Sequence, residues 1–195
     1  MQTTEKKLKD ISEIIVGLPT QRYTNTEDAY YKDVMENKSI EDIDTEFEYS
    51  KVNISASIGK QFYSQENDIL YKVQQKSFAK QITTEMGVII PNTYIIIRIN
   101  DTSIVNPDFL TYYLNDPRVA YEIQRQIDST KIMKVSTSIL KELTIQLPDI
   151  EVQNYYVMLI NKVFERIELK KKSIECDKSL VNSLYDEVIG DMYAR

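Results

Sequence analysis

An α+β fold, with a mixed β-sheet and short helices followed by a long C-terminal coiled-coil-forming helix, is what this sequence predicts. Three observations predict it. Apolar residues alternate with period two in short runs between residues 51 and 99. The period then lengthens to helical spacing over 106–127. Finally, β-branched residues recur every seventh position from Ile160 to Val188. A hydrophobic content of 42% with only four Gly and five Pro fits a packed globule rather than a disordered chain.

Residues 5–16, EKKLKDISEIIV, form a strand-or-helix lead-in, with Leu8, Ile11, Ile14 and Ile15 at helical spacing; Gly17 and Pro19 end it. The segment 18–48 is polar, Tyr-bearing and irregular. VNISASI and NDILYKV are strand-like, and MGVIIPNTYIIIRI predicts two strands parted by the turn dipeptide Pro91-Asn92. In NPDFLTYYLNDPRVAYEIQRQI, Phe109, Leu110, Tyr113 and Leu114 share one helical face. Asn106 suits an N-cap, with Pro107 at the first helical position. Pro117 interrupts before a second helix, Val119 to Ile127; DSTKIMKVSTS is a polar connector, and ILKELTIQLP returns to strand. Residues 1–150 therefore read as one α+β domain and 151–195 as a helix.

The helix carries a seam. Ile160, Ile167, Ile174, Val181 and Val188 fall at strict heptad spacing, with Val163, Lys170, Asp177 and Leu184 at the companion positions. At about 1.5 Å per residue, 151–190 would extend ~60 Å. A domain of some 150 residues is only about 30–35 Å across. Much of the helix must then find a partner; the alternative is packing along its own domain. A parallel pair would set Lys170 against Lys170 and Asp177 against Asp177. An antiparallel pair centred near Ile174 brings Asp177 close to Lys170 and Lys171 of its twin, so a two-fold antiparallel homodimer is expected.

Composition excludes several functions. Without histidine there is no His-based general base and no His metal ligand, and the lone Cys176 cannot build a zinc site. No glycine-rich phosphate cradle occurs. The chain is read as non-catalytic, with no metal and no cofactor. The N-terminal MQTTEKKLKD lacks the apolar core of a signal peptide, no run is long enough for a membrane helix, and one cysteine suits a reducing compartment. A cytoplasmic location away from membranes is expected. The net charge of −6 speaks against nucleic acid only superficially. Residues 27–48 alone carry nine acids against Lys32 and Lys38, and without them the rest of the chain is close to +1. That acidic block reads as a solvated segment facing away from any DNA.

Taken in order, several pieces resemble the DNA-specificity subunits of type I restriction–modification systems. KLKDISEIIVGLP is similar to their opening helix-to-Gly segment. ENDILYKV resembles their Gly-Asp-Ile-Leu motif with Asn67 replacing the glycine, and VNPDFLTYYLNDPRV their Pro-x-(Tyr/Phe)-Leu helix. LTIQLPDIEVQ resembles their strand-Leu-Pro-Pro-x-x-x-Gln junction, with Asp149 for the second proline and Gln153 in place. Asp128 stands where the family often has Gly, which puts the local turn in doubt. The resemblance implies a target-recognition domain on a spacer helix, in a non-enzymatic subunit that reads double-stranded DNA. It also implies recruitment of DNA adenine methyltransferase and restriction (translocase) subunits in host defence. One recognition domain and one helix look like a half-length subunit, pairing with itself or with a second half.

DNA reading needs polar side chains beside cations on loops. The first candidate is KVQQKSFAKQ, with Lys72, Lys76, Lys80, Gln74, Gln75, Gln81 and Ser77, preceded by Lys60; its alternative is an ordinary solvated hairpin tip. A second is Thr130, Lys131 and Lys134 beside Ser129, alternatively a polar connector. A third is the loop from Gly17 to Tyr23 with Gln21 and Arg22. A dimeric scaffold or decoy that binds methyltransferase subunits without reading DNA is the competing function.

Overall fold

The computed structural model describes residues 3–24, 27–36, 46–73, 78–84, 86–128 and 135–193. The protein is α+β, and it divides into two compact units, Met1–Gln153 and Asn154–Arg195.

The lead-in is three elements: strand β1 (Thr3–Lys7), a single helical turn α1 (Leu8–Ile11) and strand β2 (Ser12–Val16). The helical spacing of Leu8 and Ile11 serves that one turn, which buries both. Strand β3 (Ala29–Met35) then pairs with β4 (Tyr49–Ser55), Lys32 facing Val52 and Val34 facing Ser50. Residues 18–48 are thus less irregular than expected. The period-two signal of β3 is carried by Lys32 and Val34, buried, against Tyr31 and Asp33, exposed, and a buried lysine hides it.

Strands β5 (Ile69–Lys72), β6 (Ala79–Gln81) and β7 (Tyr94–Ile99) join β2 in a four-stranded sheet of order β2-β7-β5-β6. Every ladder between named strands is antiparallel; parallel pairing is confined to the single bridges Leu18↔Pro91 and Val34↔Ile89. Of the two strands expected either side of Pro91-Asn92, only β7 forms a ladder, and Ile89 takes part in isolated bridges alone.

Helix α2 (Pro107–Leu114) starts as its sequence dictates: Asn106 Oδ1 accepts the Phe109 N–H at 3.1 Å, and Pro107 occupies the first turn. Helix α3 (Pro117–Asp128) follows. A short helix α4 (Thr137–Glu142), capped by Ser136, occupies the ILKE stretch expected as strand, and only then does β8 (Thr144–Pro148) pair back onto β1. Six residues, TSILKE, cannot distinguish a helix from a strand by period alone; the Ser cap decides here.

The largest core cluster joins α1, β5, β7, α2, α3 and α4 through residues such as Leu8, Ile69, Ile97, Leu110, Ile123 and Leu140, each burial contributing roughly 1.5–3 kcal/mol. At the outer edge of the four-stranded sheet, Asn115 completes a ladder that has no further strand among the described residues. Its Oδ1 accepts the Ala79 N–H and its Nδ2 donates to the Ala79 carbonyl, both at 2.8 Å.

Helix α5 (Ile150–Tyr193) is one continuous element of 44 residues. No helix among the described residues is long and apolar enough to cross a membrane.

Candidate nucleic-acid interface

Two of the motifs that carry the family resemblance build the scaffold. Asn67 adopts φ 67°, the left-handed region where glycine is favoured and Asn is the best-tolerated substitute. The turn it makes delivers Asp68 into the interior, where it is 0% exposed. Asp68 accepts from Arg98 Nε at 2.8 Å and Nη2 at 2.7 Å, and from the Gln65 N–H at 2.9 Å. Arg98 also donates to the Tyr63 carbonyl at 3.2 Å. A buried carboxylate with three donors is satisfied, and breaking this bidentate pair would strand a charge.

Gln153 is likewise 0% exposed. Its Oε1 accepts the Asn106 N–H at 2.9 Å, and its Nε2 donates to the carbonyls of Ile104 at 2.9 Å and Pro148 at 2.8 Å. One amide therefore ties the first turn of α5 to the end of β8 and to the cap of α2. The Leu-Pro-to-Gln spacing places that amide one turn into the helix, where it reaches all three groups.

The predicted reading residues separate sharply. Gln74, Gln75, Lys76, Ser77, Thr130, Lys131 and Lys134 lie outside the described residues. Lys72 does not stand on the surface expected of it: it is 9% exposed, on a strand whose two faces both carry packed core, Ile69 and Tyr71 on one side and Leu70 on the other. Lys80 is half-buried, its Nζ 5.0 Å from the centre of the Phe47 ring, and Gln81 donates to Asn67 Oδ1 at 2.9 Å. Lys32, the described cation of the acidic block, is buried too. It donates to the Ser55 carbonyl at 3.0 Å and the Tyr63 hydroxyl at 2.7 Å, beneath the Tyr30 ring. Glu27, Asp28, Asp33, Glu46 and Glu48 around it are exposed.

Gln21, Arg22 and Lys60 remain in solvent. Gln21 and Arg22 sit on a 3₁₀ turn (Thr20–Arg22) and Lys60 on another (Lys60–Phe62). Both turns are stitched to the stretch 88–92. Leu18 N–H donates to the Ile90 carbonyl at 2.7 Å, Asn92 N–H to the Leu18 carbonyl at 2.9 Å, and Ile90 N–H to the Phe62 carbonyl at 2.9 Å. This approach requires Gly17: a Cβ there would lie 2.2 Å from the Pro91 carbonyl oxygen. Between 19–22 and 91–93 it leaves a cleft of about 310 Å³. Asn92 and Thr93 on the facing wall were legible in the sequence only as a turn signal between strands.

In the second unit, Val163, Ile167, Ile174, Val181, Leu184 and Val188 are all exposed, Ile174 by 54%, while Ile160 is half-buried. Every side chain from 169 to 190 is exposed. Lys162 pairs with Glu165 at 3.1 Å and Lys171 with Glu168 at 2.7 Å within the helix. Lys170 and Asp177, on the seam, have no ion-pair partner among the described residues. Among the described residues no cluster of His, Cys, Asp or Glu is arranged to hold a metal ion.

No family model and no curated protein matches this chain. Solved structures do. The HsdS subunit from Thermoanaerobacter tengcongensis superposes with a TM-score of 0.56 at 15% identity, over 88% of this chain and 39% of that one. A chain of a type I R-M system, from a structure addressing complex assembly and conformational transition, gives 0.60 at 15% identity, over 88% and 40%. The type I restriction-modification S subunit from M. genitalium gives 0.51 at 13%, over 88% and 41%. The fold is shared with part of a type I specificity subunit. This chain spans about two-fifths of the length of those specificity subunits.

Proposed function

We propose that this protein is a DNA-reading specificity subunit of a type I restriction–modification system, itself non-catalytic. Residues 1–150 act as the target-recognition domain and 151–195 as the spacer helix. The observation that carries the reading is the shared fold with specificity subunits over 88% of the chain. Through the helix it joins a second copy, or another half-subunit, and the assembly recruits adenine methyltransferase and restriction subunits in the cytoplasm. The exposed heptad seam supports self-association, because an apolar stripe without a partner stays in water. The absence of described ion-pair partners for Lys170 and Asp177 supports an antiparallel pair in which each meets the other's opposite charge.

Methylation mapping tests the whole reading. A genome carrying this gene and its methyltransferase should be modified at a bipartite motif that vanishes when the gene is deleted. A palindromic motif supports the homodimer and an asymmetric one a different second half. Methylation independent of the gene refutes the reading. The net charge of −6 keeps one competitor in view, a scaffold that holds methyltransferase subunits without touching DNA. Failure to bind duplex DNA at moderate salt, with methyltransferase present, would select it.

A further inference from the structure

The cleft between 19–22 and 91–93 is built, and nothing described so far uses it. Its walls are held together by the Leu18–Ile90 and Asn92–Leu18 hydrogen bonds and by the absence of a side chain at Gly17. Apart from the two proline rings, its lining is polar: Thr20, Gln21 and Arg22 on one wall, Asn92 and Thr93 on the other. No acid lines it. Among the described residues, no side-chain hydrogen bond or ion pair engages Gln21, Arg22 or Asn92. Of the other described candidates, Lys72 is buried, Lys80 lies against Phe47 and Gln81 donates to Asn67, while Lys60 is exposed on the turn 60–62.

Small-molecule pockets are mostly apolar with a few fixed polar groups. A groove with an uncommitted amide on each wall and a guanidinium on one of them has the chemistry of a nucleic-acid strand instead. An amide offers a donor and an acceptor side by side, matching the exposed edge of adenine, while a guanidinium suits phosphate.

On the reading that this domain binds DNA, we propose that this cleft holds one strand of the duplex, with Arg22 at a phosphate and Asn92 reading a base edge. Asn92 is then a specificity-determining residue opposite Gln21, on a turn that its backbone, not its side chain, fastens to Leu18. Its side chain is exposed, so replacement leaves the fold intact.

The test is selection of bound sequences from a pool of random duplexes by the full chain, comparing wild type with Asn92→Ala, Asn92→Ser and Arg22→Ala. Equal thermal midpoints serve as the folding control. Wild type should select a motif. Both Asn92 variants should keep that motif but lose about tenfold or more of the preference at one base position. Arg22→Ala should weaken binding to all sequences alike and lower the salt-dependence slope by about one. An unchanged motif in both Asn92 variants overturns this inference while leaving DNA reading in place. A wild type that selects no motif overturns DNA reading by the chain, and this inference with it.

Discussion

The two units of the molecule reverse the usual placement of polar and apolar groups. In Met1–Gln153, Asp68 and Gln153 lie fully inside, yet each is matched by partners in the same unit. In Asn154–Arg195, Ile174, Val181, Leu184 and Val188 are exposed and packed against no residue of their own unit among the described residues. A buried polar group whose hydrogen bonds are all made asks nothing of another molecule. A row of β-branched side chains at heptad spacing in water does. On the proposed reading, the first unit meets its own polar demands and the second takes a partner.

The sharpest way to break this contrast is Asp68→Ala. It leaves the Arg98 guanidinium without its carboxylate and should cost about 3–5 kcal/mol, read as a lower denaturant midpoint. Next is Gln153→Leu, which fills the same space but orphans the Asn106 N–H and the carbonyls of Ile104 and Pro148. Each such orphan costs roughly 1–3 kcal/mol, and part of that is recovered by solvent. Equilibrium unfolding should show a net loss of about 2–3 kcal/mol.

The seam should behave in the opposite sense. Ile174→Asp should weaken self-association at least tenfold in sedimentation equilibrium, yet shift the unfolding of the first unit by less than about 0.5 kcal/mol. If association survives that change, the seam is not the interface.

The smallest effect is a pH dependence at the surface of the first unit. Hydrogen bonds from Lys7 and Lys9 hold the Glu142 carboxyl down to about 2, from an ordinary 4.5. A depressed carboxyl contributes stability that is present above its unfolded value and lost as protons bind on the way down to the folded one. Wild type should therefore lose this contribution between about pH 4.5 and 2, and Glu142→Gln should flatten that part of the acid limb. The exposure of this carboxylate to solvent keeps the effect small, and thermal midpoints across that range measure it.

What the sequence showed of this fold follows from how local each signal is. The start of α2 was readable because Asn106, Pro107 and the apolar face all lie within one stretch of chain. So was α5, since seven-residue repetition needs no tertiary context. Strand β3 was hidden because its inward position is a lysine whose partners, Ser55 and Tyr63, are 23 and 31 residues away. Lys72 misled for the converse reason. A strand covered on both faces buries every residue, so alternation says nothing about which side chain meets water. Helix α4 failed on length, six residues being too few to show a period. At the candidate site, Gln21 and Arg22 were legible as polar residues after a glycine. Asn92 was not, because what brings it opposite them is a contact between segments some seventy residues apart.

The amide that Asn115 lends to Ala79 has a consequence beyond its own two hydrogen bonds. An open strand edge is adhesive, offering its unused backbone groups to any extended segment that drifts past. In the proposed dimer, two such domains would meet at effective concentrations in about the millimolar range, where such an edge could pair them. A side chain acting as a counterfeit strand blunts β6 at Ala79, and so favours keeping neighbouring heads apart.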